Sequence, residues 1–185
     1  LKKAGYTPAN GAAYPAGDLG TAMRDVARLI KAGTGLRVAC IDYGEWDLHQ
    51  GMGTVDDGLL TTRLSELASA LAAFATDLGA ASMAGVTVVT LSEFGRRVAE
   101  NGSGGTDHGL GNAVLMLGGG VVGGTVHGVW PGLAPADLVD GDLAATVDYR
   151  LVLGEIVQKR CLVPSLGTVF PGLRGTPLGV VRVKA

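Results

Sequence analysis

The stretch from Val86 to Gly124, VTVVTLSEFGRRVAENGSGGTDHGLGNAVLMLGGGVVGG, most constrains what this chain can fold into. An apolar run is followed by a polar, glycine-rich loop, a second apolar run and a glycine-rich turn. The loop carries Glu93, Arg96, Arg97, Asp107 and His108 beside the hydroxyls of Ser92, Ser103 and Thr106. A polar loop held between two apolar segments is where α/β proteins place chemistry. A second polar segment, Ile41 to Gln50 (IDYGEWDLHQ), also follows an apolar run and adds Asp47 and His49. The expectation is that the two segments supply two halves of a metal or anion site.

The rest of the composition agrees with a folded domain. Of 185 residues, 47% are hydrophobic and 17% charged. That is enough for one core-rich domain over 1–185 and too apolar for a disordered chain. The net charge of -2, without a basic block, argues against nucleic acid as a partner. Glycine is abundant, 31 residues, more than twice the usual roughly 7%. No apolar run reaches the ~18 residues of a membrane span. Cys40 and Cys161 lie in apolar runs and read as buried free thiols. The chain begins with Leu1, which is expected of a processed product or a fragment.

In order, 1–17 reads as a surface segment. Asp18 is a helix cap for about 19–32, with Met23, Val26, Ala27 and Ile30 on one face. Leu36 to Ile41 reads as a buried strand. Leu64, Leu67, Ala68, Leu71, Phe74, Ala75 and Leu78 form an apolar stripe on a helix opening at Thr61 or Thr62. Val86 to Leu91 and Ala113 to Leu117 read as further buried strands. Asp148 caps a last helix to about Cys161, and VVRVK near the end suits an edge strand. Alternating strands and helices imply a mostly parallel sheet covered on both faces.

In such a sheet, loops 42–53 and 92–108 would meet beyond the strand ends. Asp47, His49, Glu93, Asp107 and His108 suit Zn²⁺ or Mn²⁺ because they mix imidazole and carboxylate; an all-oxygen set would suit Mg²⁺ or Ca²⁺. The competing reading is turn and cap residues with ordinary loop histidines. Arg96 is the candidate contact for a phosphate or sulfate, and Arg97 reads as a solvated surface group. Gly102 to Gly105 could form an anion-cradling backbone nest. It is not a P-loop, Gly118 to Gly120 is not a dinucleotide fingerprint, and no nucleophile elbow surrounds the hydroxyls. His127 reads as structural.

DYGEWDLHQ, LSEFGRR, ENGSGGTDHGLGNAVLMLGGGVVGG, VHGVWPGL and VDYRLVLGEI occur in this order. Together they resemble an uncharacterised family of exported bacterial proteins, domain of unknown function 1501, assigned to the alkaline phosphatase and sulfatase superfamily. The resemblance covers roughly 14–172. It implies a three-layer α/β/α sandwich, alkaline phosphatase-like, with a metal site at the strand ends. It places Asp47 and His49 as one ligand pair, Glu93 as the acid of a second, and Asp107 and His108 as the later His and its neighbour. Phe94 stands where the superfamily usually has a His. Family members are longer at the N-terminus, where the superfamily's nucleophile and first metal-binding Asp lie. The chain is therefore expected to hold the C-terminal part of the fold.

The resemblance implies export, a divalent metal (Zn, Mn or Ca), a small ester or anion as partner, and hydrolysis of phosphate or sulfate esters. The alternative is a non-catalytic binding or assembly protein on a degenerate hydrolase fold.

Overall fold

The computed structural model describes residues 5–184. The chain divides into two compact units, Leu1–Ala84 and Gly85–Ala185.

The first unit is a helical pair. Helix α1 spans Asp18–Lys31 and α2 spans Leu59–Met83. Leu19, Met23 and Ala27 are buried on α1, one turn apart, so the face predicted around Met23 and Ala27 is the packed one. Asp18 lies in the first turn and Gly17 takes the cap position. There Asp18 still complements the positive end of the helix dipole. On α2 the buried face is Ala70, Ala73, Phe74, Asp77 and Leu78. Leu64 and Ala68, expected on the stripe, are exposed.

The displacement of that stripe has a polar cause, which is Asp77. Its side chain is fully buried and receives four donors. These are the hydroxyls of Tyr6 (2.7 Å) and Tyr14 (2.9 Å), the Ala9 amide (2.7 Å) and Lys31 Nζ (2.5 Å). Asn10 adds a bond to the Thr76 carbonyl. The segment before α1 is thereby folded across α2. Burial would raise the Asp77 carboxyl, but Lys31, Tyr6, the Ala9 amide and Tyr14 outweigh it and hold it at about 2. Burial and then the bond to Asp77 raise the Tyr14 phenol above its ordinary value.

A long loop joins the two helices. Gly53 and Gly58, at φ 90° and 128°, pass so closely that a Cβ on Gly53 would collide with the Gly58 Cα. Only glycine permits this crossing, which sets the start of α2.

The second unit carries short antiparallel pairs and one helix. Strands β1 (Val88–Val89) and β4 (Met116–Leu117) pair antiparallel, as do β2 (Gly95–Arg96) and β3 (His108–Gly109). Helix α3 spans Tyr149–Lys159 and is capped by Asp148, whose carboxylate accepts the Arg150 amide at 2.9 Å. The predicted cap and helix are both present. Val152 of α3 packs with Val180 and Val181, flanked by Met116, Val121, Val147, Ile156 and Leu178. The VVRVK segment runs antiparallel to 120–122, through the Val121 to Val181 bridge and the Arg182 amide to the Gly120 carbonyl.

These elements overturn the expected three-layer α/β/α sandwich, alkaline phosphatase-like and mostly parallel. Among the described residues there are three α-helices and two antiparallel two-strand sheets. A parallel sheet needs strands buried on both faces and joined by crossovers. The apolar runs do not meet that condition. Leu36 to Ile41 pairs with no strand among the described residues, Val38 is 68% exposed and Cys40 is exposed. Of the other two runs, Val88–Val89 and Met116–Leu117 form the strands, continued by the Thr90 amide on the Leu115 carbonyl, and neither strand is fully buried. Neither cysteine is in a disulfide, as expected, but Cys40 is exposed and Cys161 half-buried, so neither is a core thiol. No helix among the described residues is long and apolar enough to cross a membrane.

Candidate functional site

In the first unit, Asp47 and His49 sit on the loop between α1 and α2. Tyr43 ties this loop down. Its hydroxyl donates to Glu66 Oε2 at 2.6 Å, and its ring meets Trp46 edge-on with centroids 5.5 Å apart. Two tight backbone turns follow, with the Leu48 amide on the Trp46 carbonyl and the His49 amide on the Asp47 carbonyl. Leu48 is buried between them. Asp47 and His49 are therefore presented outward together, and Asp47 Oδ1 stands 3.0 Å from His49 Nε2. Their side chains are 57% and 44% exposed. A carboxylate oxygen and an imidazole nitrogen side by side are suitable donors for a borderline divalent cation.

In the second unit, Asp107 and His108 lie at the start of β3, and Arg96 is the direct cross-strand partner of His108. The ribbon is tight: a Cβ on Gly95 would collide with the Gly111 carbonyl oxygen. Side chains alternate along a strand, so Phe94 shares a face with Arg96 and lies diagonal to His108. The Phe94 and His108 rings stack with centroids 3.9 Å apart and planes 11° from parallel. The Arg96 guanidinium lies 4.7 Å from the Phe94 centroid, and its Nη1 donates to the Thr106 carbonyl at 2.6 Å. Glu93 is exposed just before this ribbon. Asp107 Oδ1 accepts from Asn101 Nδ2 at 3.0 Å.

Asn101 also answers the question of the Gly102 to Gly105 nest. Its side-chain oxygen accepts the amides of Ser103 (2.9 Å) and Gly105 (3.2 Å), and its backbone carbonyl accepts that of Gly104. The nest is occupied by the chain itself, so the loop is braced internally instead of offering its amides to an external anion.

Most of the remaining candidates have structural roles. Ser92 Oγ donates to the Phe94 carbonyl at 2.8 Å, and Thr106 is buried. Arg97, read as a solvated group, is exposed but pairs with Asp142 and donates to the Asp140 carbonyl. His127 Nε2 lies 2.8 Å from the Val122 carbonyl oxygen, which agrees with its structural reading. Trp130 is 68% exposed.

Sequence reasoning missed two buried carboxylates, Asp77 and Glu155. Glu155 accepts from Lys159 Nζ (2.6 Å) and the Gly179 amide (2.7 Å). It borders a cavity of about 220 Å³ whose walls include Leu151, Leu166, Phe170 and Leu173. None of the five candidate ligands lines this cavity. The available signal for Glu155 was the Glu to Lys spacing of four on a helix.

Neither a curated protein nor a solved structure matches the chain. The chain matches a protein family over residues 11–169. That match spans most of the length, and the chain therefore belongs to the family described as "Protein of unknown function (DUF1501)".

Proposed function

We propose that the chain binds divalent metal through Asp47 and His49 of its first unit and through Glu93, Asp107 and His108 of its second, and that it serves the hydrolysis of phosphate or sulfate esters. The observation that carries the metal reading is the 3.0 Å contact between Asp47 and His49 on an exposed, braced loop. The imidazoles favour Zn²⁺ or Mn²⁺ over Ca²⁺, which prefers oxygen ligands alone. Such a metal, when bound, polarises an ester oxygen and lowers the pKa of a bound water. The chain's own contribution is to orient donors. Buried Leu48 and the Tyr43 to Glu66 bond hold Asp47 and His49 outward. Asn101 fixes one carboxylate oxygen of Asp107. Arg96 is the cation assigned to the anionic ester; the ester class and an exported location are drawn from the superfamily resemblance of the sequence motifs, since the family itself is one of unknown function.

A second reading is a binding or assembly protein that performs no catalysis. It is favoured by the engagement of Ser92 Oγ with the Phe94 carbonyl and by the burial of Thr106, which leave neither hydroxyl poised as a nucleophile.

Elemental analysis of the purified chain, beside His49→Ala and His108→Ala, tests the metal assignment. Stoichiometric metal that falls in both variants supports it, and the number of ions per chain shows whether the two residues serve one ion or two. Metal content unchanged in both removes the ligand assignment. Turnover of p-nitrophenyl phosphate or p-nitrophenyl sulfate by the metal-loaded chain, lost in His49→Ala and Arg96→Ala, separates the hydrolase from the binding protein.

A further inference from the structure

We infer that Phe94 is a positioning residue for His108, holding the imidazole plane so that its nitrogens are presented edgewise to a metal. The inference rests on the assignment of His108 as a ligand. Ring nitrogens lie in the plane of the imidazole. A partner stacked 3.9 Å away and 11° from parallel therefore covers a face and leaves the edges, where the donors are. It also resists rotation about the side-chain bonds, because turning the ring edge-on would drive it into Phe94.

The stack is itself fixed from three sides. The Phe94 carbonyl accepts from Ser92 Oγ and from Asn112 Nδ2, both at 2.8 Å. The Arg96 guanidinium lies over the Phe94 ring, a cation–π contact. Arg96 Nη1 also holds the Thr106 carbonyl, two residues before His108. One arginine thus restrains both the aromatic ring and the strand that carries the imidazole. Metal-ligating histidines are usually oriented by a hydrogen bond to the second nitrogen. Here a ring face supplies an orienting contact.

The test uses the full chain with Zn²⁺ alone as probe, titrated against a chromophoric chelator. Phe94→Leu keeps an apolar side chain and removes the ring; Phe94→Tyr keeps the ring. Loss of an orienting partner typically weakens metal binding about 10- to 100-fold. The expected result is a Zn²⁺ dissociation constant raised at least about 10-fold in Phe94→Leu and restored in Phe94→Tyr.

A second measurement needs neither metal nor a variant. In the metal-free wild type, the His108 ring protons are expected upfield of their free-peptide positions, shifted by the Phe94 ring current. Wild-type affinity in Phe94→Leu overturns the proposal and leaves the ligand assignment standing. His108 protons at free-peptide positions in the wild type overturn it even if Phe94→Leu does not fold. A wild type that binds no Zn²⁺ overturns the ligand assignment and this proposal with it.

Discussion

Asp77 offers the sharpest test of how the helical pair is held. Its carboxyl sits at about 2 in the folded chain against an ordinary 3.8. A depression of that size corresponds to roughly 2 kcal/mol of stability. The sign follows from the direction. The folded value is the lower one, so the contribution is complete above about pH 5 and is lost as pH falls through 3.8 toward 2. Asp77→Asn keeps the shape but removes the charge that answers Lys31. It also turns an NH₂ group toward donors that need an acceptor. Breaking a buried charge pair from one side costs about 3 kcal/mol. Lys31 keeps 26% side-chain exposure and can recover water, which places the expected loss nearer 2 kcal/mol. Urea unfolding in a Trp130→Phe background, followed by Trp46 emission, reads the unit that contains Asp77. The stability gap between the wild-type residue and Asp77→Asn should be about 2 kcal/mol at pH 7 and shrink toward pH 2. A gap below about 0.5 kcal/mol at pH 7, or one that stays constant with pH, would refute the reasoning.

The second unit has a similar joint at Glu155, whose carboxyl burial would raise but which Lys159 and the Gly179 amide hold below its ordinary 4.5. Glu155→Gln should destabilise that unit by about 2 kcal/mol at pH 7, with the difference from wild type fading below pH 4.5, as read from Trp130 emission in a Trp46→Phe background. The exposure of Cys40 and the half-burial of Cys161 predict that iodoacetamide alkylates Cys40 first in the native protein. Equal rates at the two thiols, by peptide mass analysis, would contradict the placement of Leu36 to Ile41 on the surface.

What could be read from the sequence was what depends on neighbours in the chain. Asp148 was legible as a cap because its partner is the amide of Arg150, two residues on. The face of α1 was legible because Met23 and Ala27 are one turn apart. The family was legible because its motifs are themselves short words. Leu36 to Ile41 was not legible as an exposed segment. An apolar run of six residues records a capacity to pair and not whether a partner strand exists. The parallel sandwich was inferred from several such runs at once, so one uncertainty was counted repeatedly. Asp77 failed for the complementary reason. Its donors come from 46 to 71 residues away, and nothing local to Thr76, Asp77 and Leu78 shows that an acid belongs on the buried face.

The candidate site lies between these extremes. Asp47, His49, Glu93, Asp107 and His108 were candidates by residue type and by loop, since ligand chemistry is a property of the side chain. The relation between Phe94 and His108 was not, although both were singled out. Phe94 was noted only for standing where a His is usual. What gives it a role is the register that sets Gly95 opposite Gly109 and Arg96 opposite His108. A one-residue slip would turn His108 to the other face of the ribbon, away from Phe94 and Arg96. The two glycines allow the close backbone approach in which that register is held, since a Cβ on Gly109 would lie 2.6 Å from the Arg96 carbonyl carbon. Gly95 therefore matters to the orientation of a histidine carried by the opposite strand. Gly95→Ala should accordingly weaken the ring-current shift of His108 along with the ribbon, whereas Phe94→Leu should remove the shift and leave the Arg96 to His108 backbone pairing in place.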